Sequence, residues 1–221
     1  MIENDDLRGD ALAQFLIAAF KNMYENSNDD IAAYVWYASS THVQFEMALE
    51  VAGFEIKQQL IWNKGMVLGH SDYHWAHEPM LYCRKKGQRT HWHGDRTNKT
   101  ILRARRTDLG NLRKEALVQI IRNLLDNSTN WEIDRDSIKT YAHPTQKPTA
   151  LAYRAIVNSS EEGAIVMDLF SGSGTTLIAC ENSGRDARVM ELDPGYVAVA
   201  IERWVEATGG KPEIIEEFKN E

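Results

Sequence analysis

The sequence predicts an α/β fold around a mostly parallel sheet, and two observations predict it. Apolar stretches with helical spacing alternate along the chain with short runs rich in β-branched and aromatic residues. Residues 164–193 then show an apolar strand, a glycine-rich turn, a helix and a second strand, which is the pattern of a βαβ unit. A chain of 221 residues has room for one main domain with a full hydrophobic core.

The predicted elements follow this alternation. Helical periodicity predicts helices over 10–25, 41–53, 112–127, 146–160, 171–184 and 195–210. Gly53 and Gly184 stand where a C′ glycine ends a helix. Strands are predicted over 31–39, 54–64, 77–84, 164–170 and 187–193.

Composition excludes several classes of protein. No apolar run approaches the roughly 18 residues that a membrane span requires, and the acidic start MIENDDLRGD differs from a basic secretory signal. We therefore expect a cytoplasmic protein. Cys83 and Cys180 have no C-x-x-C partner, so we expect two buried thiols rather than a disulfide or a thiolate metal site.

Positive charge is concentrated in one segment of an acidic chain. Residues 84–114 contain eleven Lys or Arg against two Asp, a local charge of +9, whereas the whole chain carries −7. The basic side chains are interleaved with His91, Trp92 and His93. This pattern is typical of a segment that neutralises the phosphates of a polyanion and inserts side chains into a groove.

A glycine-rich turn predicts a ligand site. The segment DLFSGSGTT at 168–176 lies between an apolar strand and a helix, where backbone amides and the helix N-terminus point outward. Gly172 and Gly174 lack β-carbons, so a ligand can approach the main chain closely. The turn has neither the third glycine of G-x-G-x-x-G nor the Gly-Lys-Ser/Thr of a phosphate loop, which disfavours dinucleotides and nucleoside triphosphates.

An acidic residue follows at the spacing expected for a nucleoside site. Glu191 comes 23 residues after Asp168, where a carboxylate accepts hydrogen bonds from two ribose hydroxyls. The pattern D-x-F-x-G-x-G-T-T followed by E-L-D-P resembles the S-adenosylmethionine site of DNA amino-methyltransferases. That resemblance implies that Phe170 and the glycines border the methionine part and that Asp193 lies near the adenine. Thr175 belongs to the same predicted site.

A second motif strengthens the resemblance. HPTQKP at 143–148 is similar to a hexamer of the same family, and it precedes the cofactor strand. Pro148 suits the start of a helix because its φ is fixed and its N–H is absent. Lys147 or Thr145 is placed to reach a carboxylate such as that of the methionine moiety, and His143 is assigned to the same cofactor site.

The order of the motifs resembles a circularly permuted class of this family, with a Rossmann-like methyltransferase fold. The resemblance implies three parts: 1–86 as the remainder of the catalytic half, 87–140 as a basic target-recognition insertion, and 141–221 as the S-adenosylmethionine-binding half. It covers nearly all of the chain, because NDDL, IWNK and SDYHWAHEPMLY also match.

The family's catalytic tetrapeptide, an acidic, Asn or Ser residue followed by Pro-Pro and an aromatic residue, is absent. The five prolines are Pro79, Pro144, Pro148, Pro194 and Pro212, and none is adjacent to another. We therefore assign no catalytic residue. The missing segment would also carry the strand between 164–170 and 31–39, so we expect a split, incomplete sheet whose edges aggregate or pair with another chain. We interpret the sequence as a truncated piece, a misplaced start or a gene remnant.

The resemblance implies double-stranded DNA as the partner. His77 and Glu78 border the family's base pocket, and Arg96, Arg103 and Arg105 of the insertion are further substrate-site candidates. A homodimer or a complementing N-terminal segment is expected to complete the protein.

A metal site is disfavoured, although His70, His74 and His77 have a spacing that suits three imidazoles on one face of a helix. No acidic or cysteine ligand lies at a suitable spacing, and Gly69 and Pro79 interrupt the stretch. Local packing and phosphate contacts explain these histidines more simply.

Two functions remain open from the sequence. The first is methyl transfer from S-adenosylmethionine to an exocyclic amine of DNA, with adenine N6 favoured over cytosine N4, in a restriction–modification setting. The alternative is an inactive module that binds DNA or the cofactor and needs a partner chain. A nicotinamide or flavin enzyme fails on the glycine pattern and leaves HPTQKP unexplained.

Overall fold

The structure is a computed structural model and describes residues 6–63, 77–94, 130–132 and 147–215. The chain divides into two compact units. The N-terminal unit comprises Asp6–Arg135 and Val157–Ser160, and the C-terminal unit comprises Met1–Asp5, Asp136–Ile156 and Glu161–Glu221. Each unit contains one of the two sheets formed by the described strands.

The N-terminal unit is a sheet with two helices. Its elements are α1 (Gly9–Glu25), β1 (Ala33–Trp36), a 3₁₀ turn (Ser39–Thr41), α2 (His42–Ala52), β2 (Phe54–Asn63), β3 (His77–Lys85) and β4 (Asn130–Glu132). The strand order is β1-β3-β2-β4, with β3 antiparallel to both neighbours and β4 parallel to β2. This sheet is therefore mixed, whereas the sequence predicted a mostly parallel one, because a short apolar run does not encode strand direction.

The core of the N-terminal unit lies between the two helices and the sheet. Leu16 and Phe20 of α1 pack with Leu49 of α2, and these side chains contact Phe54 and Leu81 of the strands. All five are at most 4% exposed. Burial of such side chains contributes about 1.5–3 kcal/mol each, so this cluster fixes both helices on one face of the sheet.

Gly53 makes the tight connection between α2 and β2. It ends α2 in the left-handed region with φ +102°, and its N–H bonds the Glu50 carbonyl. A β-carbon at this position would lie 2.9 Å from the ring of Tyr24. The predicted helix stop is confirmed, and its reason is both backbone conformation and close packing.

The C-terminal unit contains the predicted βαβ arrangement. Its elements are most of α3 (Thr149–Ser159), then β5 (Ile165–Asp168), α4 (Thr175–Ser183), β6 (Asp186–Val189) and α5 (Pro194–Thr208). Strands β5 and β6 are parallel, with Asp168 opposite Val189. Ile156, Ala179 and Cys180 form its buried cluster, with Val166 packed against them.

Several predicted element boundaries differ from the structure in this unit, and β5 spans Ile165–Asp168 instead of the predicted 164–170. The strand predicted over 187–193 ends at Val189. Met190 still bonds the Asp168 carbonyl, but the N–H groups of Asp193 and Gly195 are accepted by the side chains of Glu191 and Asp193 instead of by a neighbouring strand. The helix predicted from 146 begins at Thr149, directly after the buried Pro148. The helix predicted over 112–127 lies outside the described residues. None of the helices that the structure describes has both the length and the apolarity to cross a membrane.

Both thiols are buried, as predicted, and this leads to a pH-dependent prediction. Cys83 and Cys180 are 0% and 1% exposed. Burial raises the pKa of Cys83 to about 12, and burial with the nearby Asp168 carboxylate raises the pKa of Cys180 to about 11. At pH 8 we expect the folded chain to leave both thiols unreacted with Ellman's reagent, whereas urea exposes two.

The sign of the stability effect follows from these shifts. A raised pKa favours the neutral thiol in the folded state, so this contribution is complete below the unfolded thiol's pKa of about 8.5. It is lost as the pH rises towards 11 to 12, the pKa values of the folded thiols. Rapid labelling of either thiol in the folded chain at pH 8 would contradict the burial.

Candidate functional site

The glycine-rich turn connects β5 to α4, and Asp168 holds it together. The Asp168 carboxylate accepts the backbone N–H of Phe170 at 3.0 Å through Oδ1 and the hydroxyl of Thr176 at 2.6 Å through Oδ2. One side chain thus ties the end of the strand to the first turn of the helix. Asp168, predicted to bind the cofactor, has both oxygens engaged within the turn.

Glu191 joins the turn to the segment after β6. Its Oε2 accepts the N–H of Gly172 at 2.8 Å, and its Oε1 accepts the N–H groups of Leu192 and Asp193, each at 3.0 Å. Glu191 lies two residues beyond the end of β6, in the turn that leads to α5. The carboxylate that the sequence singled out therefore sits beside the glycine turn, at the carboxyl ends of two parallel strands.

The ladder between these segments continues past the regular strands. Met190 donates its N–H to the Asp168 carbonyl at 2.8 Å, and Ser171 donates to the Met190 carbonyl at 2.9 Å. These bonds keep Phe170 and Glu191 at matching positions on neighbouring segments. The site is thus built on sheet geometry rather than on a free loop.

Asp193 is occupied by a structural role. It is the N-cap of α5, and its side chain accepts the N–H of Gly195 at 2.7 Å. Pro194 follows at the first helical position, where its missing N–H costs nothing. Asp193 thereby fixes the start of α5, and the implied position of Asp193 near the adenine stays a prediction.

Helix α5 packs directly beneath the turn. Gly174, the N-cap of α4, has φ +81°, and a β-carbon there would lie 2.8 Å from the Cβ of Ala200. Arg203, one turn further along α5, donates to the carbonyl and hydroxyl oxygens of Ser173. Sequence reasoning missed Arg203, because 30 residues separate it from Ser173 and no spacing rule links the two.

Exposed apolar side chains surround the acid. Phe170, Met190 and Leu192 are 55%, 59% and 65% exposed, although each follows directly on the ordered sheet segments. An apolar surface beside a carboxylate is typical of a site that takes a ligand with both an aromatic ring and hydroxyl groups. The nucleoside that the spacing of Glu191 indicates stays a prediction.

The HPTQKP segment reaches the same turn through its backbone. The hydroxyl of Thr175 donates to the Lys147 carbonyl at 3.3 Å, so the start of α4 and the residue before Pro148 are adjacent. The predicted contact of the Lys147 ammonium with a ligand carboxylate stays a prediction. His143 and Thr145 lie outside the described residues.

The predicted DNA-facing residues are partly used inside the N-terminal unit. Arg84 bonds Glu55 at 2.9 Å, and hydrogen bonds from Lys57 and Arg84 hold the pKa of the Glu55 carboxyl below its usual value. Lys85 is 5% exposed and donates to the Ser27 carbonyl at 2.7 Å. These two cations therefore stabilise the fold and are not part of an open basic surface.

Trp92 of the basic segment packs against the N-terminal unit, and its insertion into a groove stays a prediction. Its ring is half-buried and packs edge-on against Tyr82 with a centroid distance of 6.3 Å. His91 pairs with Asp30 at 3.1 Å. Of the basic segment, Lys86 and Arg89 are exposed, while Arg96, Arg103 and Arg105 lie outside the described residues.

His77 and Glu78 stand at the first positions of β3. His77 is exposed, Glu78 is half-buried, and they pair in register with Asn63 and Trp62 of β2. Their role at a base pocket stays a prediction. His70 and His74 lie outside the described residues, and the described part of the chain contains no cluster of three metal-ligating side chains.

Comparison with known proteins now places the chain. The DNA methylase family model, which covers N6 and N4 methyltransferases, matches residues 2–202. The chain belongs to the DNA methylase family. Among curated members, the type II methyltransferase M2.DpnII of Streptococcus pneumoniae is 30% identical over 177 residues, which cover 76% of this chain and 59% of the relative. The chain thus spans less than two thirds of that methylase's length.

Solved DNA methylase structures share the fold. The M1.HpyAVI–SAM complex aligns with a TM-score of 0.67 at 22% identity, over 89% of this chain and 85% of that one. The cytosine-N4-specific PvuII DNA methyltransferase aligns with a TM-score of 0.66 at 15% identity, over 91% and 73%. The resemblance to the methyltransferase fold is thereby confirmed.

The contacts of Glu191 generate a prediction about the turn. In Glu191→Gln, the amide NH₂ cannot accept an N–H, so either Gly172 or the pair formed by Leu192 and Asp193 loses its acceptor. A hydrogen bond to a charged group contributes about 1.5–3 kcal/mol, so amide exchange at these positions is expected to accelerate by about tenfold or more. The control is Glu202→Gln on the exposed face of α5. Equal exchange in both variants would show that Glu191 does not hold the turn.

Proposed function

We propose that the turn at 168–176 and Glu191 bind S-adenosylmethionine, and that the chain is the cofactor-binding part of a DNA amino-methyltransferase. One observation carries the proposal: Glu191 and the glycine turn meet at the carboxyl ends of β5 and β6, where open α/β sheets bind ligands. The family match and the M1.HpyAVI–SAM complex support this choice of nucleoside.

The residues present fit this cofactor. A carboxylate has about four acceptor positions, and Glu191 uses three of them for backbone N–H groups, so Oε2 retains capacity for a ribose hydroxyl. Leu192, next to Asp193, offers exposed apolar surface for a purine ring, and the exposed Phe170 borders the methionine part. Helix α4 begins without a side-chain cap, so its positive end favours the methionine carboxylate.

The roles of the chain's own residues follow from these contacts. Glu191 orients the ribose, Asp168 keeps the turn closed by holding Thr176, and Gly174 lets α5 pack against the turn. The bound cofactor supplies an electrophilic methyl group on its sulfonium. The site then needs groups that accept the amine protons of the target base and turn its lone pair towards that methyl group.

Those groups belong to the family's Pro-Pro-aromatic tetrapeptide, which the 221 residues do not contain. We propose that residues upstream of this sequence supply it, together with the strand that pairs beside β5 in a complete, circularly permuted sheet. In support, β5 pairs only with β6 among the described strands, and its Ile165 is 67% exposed. The proposed target is an exocyclic amine of duplex DNA, adenine N6 before cytosine N4, in the bacterial cytoplasm.

The proposed DNA contacts lie in 87–140, which we assign to target recognition. In the sequence this segment follows the remainder of the catalytic half (1–86) and precedes the S-adenosylmethionine-binding half (141–221). Strand β4 of this insertion pairs with β2. Asn63 of β2 therefore lies between Glu132 of β4 on one side and His77 of β3 on the other. The local charge of +9 over 84–114 supports binding to phosphates. Because Arg84 and Lys85 are engaged in the fold, the cations that follow them are the candidates for DNA.

A second candidate is a non-catalytic module that binds S-adenosylmethionine and DNA and is completed by a partner chain or a second copy. The absence of the tetrapeptide from the sequence favours it. The same exposed side of β5 accommodates a strand from either source.

The cofactor proposal is tested by calorimetry with S-adenosylmethionine. We expect the chain to bind it, and Glu191→Ala to bind at least about tenfold more weakly, because a charged hydrogen-bond acceptor is lost. The exposed Glu206→Ala of α5 removes the same charge away from the turn and should bind like the wild type. Equal losses in both variants, or no binding by the wild type, would overturn the site.

The reaction is tested by joining the upstream coding sequence and measuring labelled methyl transfer to duplex DNA. We expect transfer only when an acidic, Asn or Ser residue followed by Pro-Pro-aromatic is present, with N6-methyladenine as the product by nucleoside mass spectrometry. N4-methylcytosine as the product would show that the methylated base is cytosine instead of adenine. A completed chain that binds the cofactor and DNA but transfers no methyl group would favour the non-catalytic module.

A further inference from the structure

We propose that Arg203 of α5 is a positioning residue for the proposed cofactor site, acting through the peptide plane between Ser173 and Gly174. The inference rests on the proposed function. Arg203 Nη1 donates to the Ser173 carbonyl and, at 3.1 Å, to Ser173 Oγ. A guanidinium nitrogen carries two N–H groups, so one atom serves both acceptors.

Both acceptors of Arg203, the carbonyl and the hydroxyl oxygen of Ser173, belong to a buried residue of the turn. Ser173 is 3% exposed, so its carbonyl and hydroxyl cannot be satisfied by bulk water. Charge-assisted hydrogen bonds in such surroundings are stronger than neutral ones on the surface. Loss of the guanidinium therefore removes a charged donor from two buried acceptors, which weakens the hold of α5 on the turn.

The effect reaches the ligand face through the planar peptide. In a trans peptide the carbonyl and the next N–H point in opposite directions, so holding the Ser173 carbonyl on α5 directs the Gly174 N–H away from the helix. That N–H bonds the Ser171 carbonyl at 2.9 Å and closes a four-residue turn. The turn carries Gly172, whose N–H lies on Glu191.

Close packing leaves the turn little alternative. The Ala200 Cβ occupies the space that a β-carbon on Gly174 would need, and Ala200 is 6% exposed. Ala200 and Arg203 lie three residues apart and therefore on one face of α5. Helix α5 supports the turn through the packing of Ala200 against Gly174 and through the charged hydrogen bonds of Arg203 to Ser173.

The test measures two quantities on the full chain: affinity for S-adenosylmethionine by calorimetry, and hydrogen exchange of residues 171–175. We expect Arg203→Met to weaken binding by about tenfold and to accelerate exchange within the turn, because a hydrogen bond from a charged group is lost. Arg203→Lys, whose ammonium also carries several donors, should stay within about threefold of the wild type.

Arg188→Met is the matched control, because Arg188 is exposed and its Nη1 donates to the carbonyl of the adjacent Ala187, away from the turn at 171–175. It should leave both quantities unchanged. Ser173→Ala removes one of the two acceptors and should weaken binding less than Arg203→Met does. If Arg203→Met is insoluble, Arg203→Lys and Ser173→Ala decide the question, and wild-type affinity and exchange in Ser173→Ala overturn the proposal.

The outcomes separate this inference from the proposed function. No binding by the wild-type chain overturns the proposed function. Binding by the wild type with equal affinity and turn exchange in Arg203→Met overturns the positioning role alone. Faster exchange spread evenly over 147–215, rather than confined to 171–175, would show that Arg203 stabilises the whole unit and would also overturn it.

Discussion

The site depends on one carboxylate that gathers three backbone N–H groups from two segments. Glu191 contacts Gly172 on the turn after β5 and Leu192 and Asp193 on the turn before α5. Backbone N–H groups beyond the ends of strands have no partner strand to accept them. The Glu191 carboxylate accepts three of these N–H groups and so helps to keep both turns ordered. The parallel pairing of β5 and β6 brings these turns to the same edge, and Glu191 makes them one surface.

The residues that resemble a cofactor-binding motif thus divide into two kinds. Asp168 and Asp193 use their carboxylates on local N–H and O–H groups, which shapes the turn and caps α5. Phe170 is largely exposed, and Glu191 keeps spare acceptor capacity. Under the proposed function, the motif therefore combines residues that are available to a ligand with residues that hold the turn in place, and the coordinates separate the two.

Much of the fold could be predicted from the sequence because it rests on local signals. Gly53 and Gly184 end helices where left-handed residues are required, and the alternation over 54–64 is confirmed as β2. Strand direction could not be predicted, since β3 shows the same apolar pattern whichever way it runs. The short β6 could not either, because side-chain bonds from Glu191 and Asp193 end it.

The candidate site shows the same division between local and distant information. The glycine turn and its acid follow from spacing within one βαβ unit, whereas the contact of Arg203 with Ser173 depends on how α5 crosses beneath the turn. Likewise, charge counting placed Lys85 in an open basic segment, but the alternation along β3 turns it inward towards Tyr24 and Ser27. Composition predicts the sign of a segment's net charge. The alternation of side chains along a strand then determines which of its charged groups reach solvent.

The pairing of β4 with β2 has an evolutionary consequence. Residues 130–132 join the sheet through main-chain bonds along 61–63, and such bonds require no particular side chains. The sequence between β3 and β4 is therefore free to drift or be exchanged without disturbing this seam. Changes in sequence or length are therefore easier to accommodate there than in the turn after β5, where Gly172 and Ser173 contact Glu191 and Arg203.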